Sequence, residues 1–249
     1  MRVITYAHWD DPTLLEAIER FDGVFLIPPI EKLSPRMAER LLQARARIVV
    51  LGANLSSLGL HGIENVADGS VAALLDHLQA LGHRRIMALN TVPLVLAIEE
   101  RLAQWREWLS HHQLQGELIN EPILARGDAR QKAYEIVRER LTDSDGMGGS
   151  ALLCTTLPVA LGAMRAVNEM GMTLGRDVSV CAVNDEGMAP FLNPTLTASR
   201  LGDSTTAVRE AIEWMTGDEW SGPLLKRSEE VEIFVGGSTG VPVTILQSA

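Results

Sequence analysis

From residue 3 to residue 215 the chain alternates short runs rich in Val, Ile and Leu with longer runs whose apolar residues recur at helical spacing. Strands are expected at Val3–Tyr6, Gly23–Ile27, Ile48–Leu51, Arg85–Leu89, Glu117–Ile119, Ala151–Cys154, Val178–Val183 and Leu196–Ser199. Helices are expected at Pro12–Arg20, Pro35–Ala44, Val71–Leu81, Leu94–His112, Ala129–Leu141, Val159–Met170 and Thr205–Met215. Two parallel strands cannot be joined by a tight turn, so a helix between each pair implies βαβ units and an α/β fold with mostly parallel sheets. Local punctuation agrees: Asp128 suits an N-cap, and Gly82 and Gly171 suit the left-handed residue that ends a helix. After the last helix, "SGPLLKRSEEVEIFVGGSTG" reads as strands, and "TDSDGMGGS" as a surface loop.

With 249 residues the chain can form one large domain or two lobes. Its net charge of −10 argues against phosphate-backbone binding by these residues, which needs clustered Lys and Arg. The two cysteines, Cys154 and Cys181, both sit in apolar strand-like runs, so buried reduced thiols are expected. No apolar run reaches membrane-spanning length and the N-terminal stretch lacks a signal-peptide core, so a cytoplasmic location is expected.

Ligands of open α/β sheets bind beyond the carboxyl ends of the strands. That rule singles out Asn90–Thr91, Thr155–Thr156 and Asn184–Glu186, which directly follow strand-like runs. Asp185 and Glu186 could do acid–base work or could be ordinary loop carboxylates; the residues alone leave both open. Arg101 lies beside the apolar stripe Ile98, Leu102, Trp105 and Leu109 of one helix, either as a surface cation or as a cleft Arg whose donors suit hydroxyls or carboxylates. "GGSTG" fits the G-x-S-x-G pattern, but only nine residues follow it, with neither His nor acid, so no catalytic Ser238 is expected. "DSDG" lacks the later Glu of a calcium loop, the histidines lack metal-site spacing, and no phosphate-binding glycine loop follows a strand. No metal or cofactor is expected.

Several segments, in chain order, resemble the lactose-repressor (LacI/GalR) family of bacterial transcription regulators. "HLQALGHRRIMAL" is similar to the family's "HL-x-x-LGHRRI" segment, and "RLAQW" to its "RLAGW" element. "ALGAMRAVNEMGMTLGRDVSVCAVND" resembles the run that ends in "D-(I/V)-SV-x-G-(F/Y)-(N/D)-D"; "NPTLTAS" and "GGSTG" resemble "P-P-LTT-(I/V)" and "RGST". The resemblance implies a periplasmic-binding-protein-like fold of two α/β lobes joined by three crossover strands. The first lobe would hold residues 1–90 and 200–224, the second residues 91–199 and 225–249. It implies a small-molecule effector, a carbohydrate or derivative, bound between the lobes by Arg101, Asn184, Thr156 and Asp128. It also implies a homodimer, with DNA contacted only through a helix-turn-helix headpiece outside this chain, and no enzymatic activity. A free-standing solute-binding protein is the alternative reading.

There are departures from the family pattern. Thr156 stands where a ligand-binding Asn is common, Leu157 replaces the following Asp, and Gly236 replaces the Arg of "RGST". "MRVITYAHWDD" resembles the family's second strand, so the first strand and helix of the first lobe are expected to be missing, leaving Val3–Tyr6 without a neighbour.

Overall fold

The computed structural model describes residues 2–29, 31–124, 127–143, 146–217, 224–228 and 230–243. In chain order the elements are α1 (Pro12–Arg20), β1 (Gly23–Leu26), α2 (Pro35–Leu42), β2 (Arg47–Leu51), β3 (His61–Glu64), α3 (Ser70–Ala80) and β4 (Ile86–Asn90). They continue as α4 (Leu96–His111), β5 (Leu118–Asn120), α5 (Ala129–Thr142), β6 (Ala151–Cys154), α6 (Leu157–Glu169) and β7 (Ser179–Ala182). The last are β8 (Thr197–Ser199), α7 (Thr205–Thr216), β9 (Leu225–Arg227) and β10 (Ile233–Phe234). This is the α/β alternation expected from the periodicity. Ser144 and Asp145 of the "DSDG" loop lie outside the described residues, as do Ser221–Pro223 and Glu229 of the strand-rich tail.

The helix boundaries follow local chemistry. Asp11 and Ser34 cap α1 and α2 with their side chains, each followed by Pro in the first turn, where the missing N–H costs nothing. Asp128 caps α5 through the N–H of Arg130. Gly82 and Gly171, at φ +100° and +72°, end α3 and α6 in the left-handed conformation that glycine adopts without strain.

The chain divides into two compact units, one of Met1–Ala67, Leu94–Ala97 and Gly202–Glu230, the other of Asp68–Pro93, Ile98–Leu201 and Val231–Ala249. The first unit holds a four-stranded parallel sheet in the order β1-β2-β3-β9. Leu14 and Ile18 of α1, Leu41 of α2, and Leu26, Ile48 and Val50 of the sheet form one core. Val49 and Ile63, on the other face, pack with Ala211 of α7.

The second unit holds a six-stranded sheet in the order β10-β8-β7-β6-β4-β5, parallel except for β10, which pairs antiparallel with β8. Leu89, Leu152, Cys154, Val180, Ala182 and Ala198 cover one face of it, under Ala133 and Val137 of α5 and Ala160, Ala163 and Val167 of α6. The two cysteines are buried and free. Cys181 is level with Leu153, and Cys154 with Ala182, so alternation turns the two thiols to opposite faces of the sheet.

Three expectations differ from the structure. Val3–Tyr6 forms no strand: Val3 is 82% exposed, and Tyr6 is held by its side chain, which packs against the core and donates through its hydroxyl to the Ile27 carbonyl. A strand exists only where a neighbour takes its amides, and the described partner of β1 is β2 alone. His61–Glu64, too short and too polar to read as a strand, becomes one because β2 and β9 pair with it on either side. The division also falls elsewhere than at residues 90, 199 and 224. β4 hydrogen-bonds to β5 and β6 and so belongs to the six-stranded unit, while β9 belongs to the four-stranded one.

Candidate functional site

In the six-stranded unit, β4 is followed in sequence by β5 on one side and by β6 on the other. The strands stay parallel, but the order in which they are laid down reverses between β4 and β6, and at such a switch point the flanking loops part and leave a crevice at the strand ends. The residues that close these strands are Asn90, Asn120 and Thr155, and they form one hydrogen-bonded series. Asn90 Nδ2 donates to Asn120 Oδ1 and to the Val92 carbonyl, both at 2.8 Å. Thr155 Oγ1 donates to Asn90 Oδ1 at 2.7 Å. Asn90 and Thr155 are buried, so these bonds have no water to compete with.

Arg101, one turn into α4, reaches the same strand ends. Its Nη1 donates to the Thr155 carbonyl at 2.7 Å, and the residue is half-buried. A guanidinium carries five donors in a planar fork, a geometry that suits hydroxyl or oxyanion acceptors.

Thr156 is the N-cap residue of α6, with extended φ and ψ, yet its side chain makes no capping bond. Its Oγ1 is buried and has no hydrogen-bond partner among the described residues. A buried hydroxyl without a partner is costly, which makes this atom a natural point for a ligand hydroxyl or anion to complete.

Asn184 lies past the end of β7, in the left-handed region at φ +66°, with Glu186 at φ +48° close behind. Two non-glycine residues in that region make an over-determined loop, and the hydrogen bonds that hold it are visible. The Asn184 N–H donates to Ser199 Oγ at 2.9 Å and the Asp185 N–H to the Ser199 carbonyl at 3.0 Å. Asn184 Oδ1 accepts from the Glu186 N–H, which leaves Nδ2 with no partner among the described residues. Asp185 is buried and accepts from the Gly187 N–H through Oδ1.

Asp128 sits elsewhere in the hydrogen-bond pattern. Its Oδ1 accepts from the N–H and Nε of Arg130, and its Oδ2 from Arg130 Nη2. The Arg130 side chain and backbone N–H hold its carboxyl well below the usual range, at about 2. It is joined to the strand ends only indirectly: Thr91 Oγ1 donates to the carbonyl of Ala129.

The strand-end rule marks Asn90 and Thr155, which the family resemblance does not carry as ligand residues. Asn120 is not among the sequence expectations, and its signal is the same rule applied to the end of "ELIN". Described charges in the Arg101–Thr155–Asn90–Asn120 series are one guanidinium and no carboxylate, an arrangement suited to holding hydroxyls or an anion rather than to moving protons.

The serine of the G-x-S-x-G match is fully buried. Ser238 Oγ donates to the Val180 carbonyl at 2.6 Å and accepts from the Thr197 N–H, so the hydroxyl fastens the C-terminal turn to β7 and β8. His83 bridges Ser150 Oγ, Ser179 Oγ and the Gly240 carbonyl, and His77 meets Thr239 Oγ1. Among the described residues no group of three His, Cys, Asp or Glu side chains could hold a metal. No helix among them is long and apolar enough to cross a membrane.

A family model described as "periplasmic binding protein-like domain" matches residues 75–236. The lactose operon repressor of Escherichia coli is 33% identical over 125 residues, which are 49% of this chain and 32% of that protein. The HTH-type transcriptional regulator AscG of Escherichia coli is 27% identical over 202 residues, 78% of this chain and 56% of that protein. The chain thus spans only part of the length of these curated relatives. Among solved structures, a LacI family transcriptional regulator from Enterococcus faecium with bound ribose superposes with a TM-score of 0.72 at 18% identity, covering 96% of this chain and 87% of that one.

Proposed function

The chain belongs to the periplasmic binding protein-like domain family, in the form carried by LacI/GalR regulators, and on that premise we propose that it is an effector-sensing domain for a small polar ligand of the sugar class. The observation that carries this reading is the series Arg101–Thr155–Asn90–Asn120 at the switch point of the six-stranded sheet. Arg101 supplies directed donors, Thr156 Oγ1 an unused buried hydroxyl and Asn184 Nδ2 an unused donor, a set that suits a ligand rich in hydroxyls. Asp128, committed to Arg130, contributes by fixing the start of α5 more than by direct contact.

The function is binding and not catalysis. Regulation requires that the ligand stabilise one state of the regulator more than another, since equal affinity for both would shift nothing. The family resemblance supports a homodimer that acts on DNA through a headpiece, in the cytoplasm, and the ribose-bound relative supports a carbohydrate effector.

A thermal-shift screen against ribose, other sugars, sugar acids and nucleobases tests the reading. A sugar-class stabiliser is expected, with its effect lost in Arg101→Ala and reduced in Asn184→Ala. Stabilisation that survives both substitutions would overturn the site, and a nucleobase-only response would overturn the ligand class.

A further inference from the structure

At the opposite, N-terminal ends of the same strands a groove opens between α4 and the starts of β4 and β5. Its walls are Arg85, Trp105, Arg106, Leu109, Leu114 and Gln115. Gly116 is its floor, and only glycine fits there: a Cβ would lie 2.0 Å from the Ile86 carbonyl and 2.9 Å from both Trp105 and Leu109. Trp105 is fixed from behind, its Nε1 donating to the Ile86 carbonyl at 3.3 Å. The Leu114 N–H donates to the Leu109 carbonyl at 3.0 Å, so both leucines are held by the turn that ends α4.

The charge at this groove is opposite to that of the chain as a whole, which is −10. Arg85 and Arg106 are exposed, and neither guanidinium is hydrogen-bonded or ion-paired to a described residue. The carboxylate that feels Arg85 is Glu117, and Arg140 already bonds it at 2.5 Å. One turn away from Arg106 on α4 stand Leu102, Ala103, Leu109 and Ser110, none of them acidic.

We propose that this groove is a second ligand site, for a small organic oxyanion: a phosphate monoester or carboxylate with a compact apolar body. Guanidinium forks match the oxygens of both headgroups in a two-point geometry. Leu109 and Leu114 offer the body an apolar wall, and the Gln115 amide adds an uncharged donor. The site is separate from the effector cluster, because the five residues of β4 put about 16 Å between Arg85 and the Asn90 end at about 3.3 Å per residue.

The test titrates the purified chain with phenyl phosphate, benzoate and inorganic phosphate, following the Trp105 indole signal by NMR and the affinity by calorimetry. Saturable binding of phenyl phosphate or benzoate is expected, tighter than that of inorganic phosphate, and the tighter of the two identifies the headgroup. Arg85→Ala and Arg106→Ala should each weaken it about fivefold or more, with Arg106→Lys intermediate because charge remains and the fork is lost. Both side chains are exposed, so melting temperatures should be unchanged. Absence of saturable binding, binding retained by the double variant, or equal affinity for phenyl phosphate and inorganic phosphate would each overturn the proposal.

Discussion

The Thr155 hydroxyl donates to Asn90 Oδ1 at 2.7 Å, and the nitrogen of the same Asn90 carboxamide donates to Asn120 Oδ1 at 2.8 Å. Asn90, fully buried, is thus bonded through both ends of its amide, and three strand ends are tied together by side chains. Thr155→Val keeps the shape and removes the donor, leaving Asn90 Oδ1 buried without it. A loss of about 1–3 kcal/mol is expected from urea denaturation. An unchanged midpoint and slope would show that the carboxamide does not depend on this bond.

Arg101 separates fold from binding. Arg101→Ala deletes the bond to the Thr155 carbonyl among its contacts, a loss of about 1 kcal/mol or more of stability. The same change should cost a bound sugar tenfold or more in affinity, about 1.4 kcal/mol per tenfold. Arg101→Lys should recover stability better than affinity, because a lysine has charge but no fork. Calorimetric titration with the stabilising sugar beside denaturant curves reads the two effects apart.

Acid should loosen the C-terminal turn. Burial lowers the folded-state values of His83 and His77 below their ordinary one; at His83 the bond to the Gly240 carbonyl opposes this in part, and a charge on His77 adds to it. Their contacts are hydroxyls and the Gly240 carbonyl, with no carboxylate among them. The unfolded chain therefore binds protons first as pH falls below about 6.5, so stability is full above that pH and declines below it. Denaturation midpoints measured from pH 8 to pH 5 should fall, and His83→Asn should flatten the fall while costing stability at pH 8. Carboxylates such as Asp128 and Asp177, held low by Arg130 and Arg176, act only in a lower window.

The packing of α5 on α6 admits no side chain at Gly162. A Cβ there would lie 2.1 Å from the Arg130 carbonyl and 2.9 Å from Ala133 Cβ. Gly162→Ala should gain about 1 kcal/mol in helix propensity and still destabilise, because the overpacking costs about 1–3 kcal/mol or more against backbone. Thermal unfolding measures the balance, and a rise in melting temperature would contradict this packing.

Periodicity and local caps were enough to determine the α/β class and most elements, because patterns of 2 and 3.6 residues and residues such as Asp11, Ser34, Asp128 and Gly82 act within one turn. The rule that parallel sheets bind at their carboxyl ends makes Asn90, Thr155, Thr156 and Asn184 visible in the sequence, and the resemblance turns Arg101 from one of two open readings into a ligand-binding candidate. What depends on neighbours distant in the chain was decided only by tertiary structure. Val3–Tyr6 has the composition of a strand but no ladder to join, whereas His61–Glu64 has little of it and lies between two. Asn120 entered the site because β5 lies beside β4, and β4 left the first unit because its amides go to β5 and β6. Asp128 is bonded to Arg130 and Ser238 to Val180, and among the described residues only Thr156 keeps an unused buried hydroxyl. A residue's type sets which bonds it can make; which it has left for a ligand is known only when its neighbours have taken theirs.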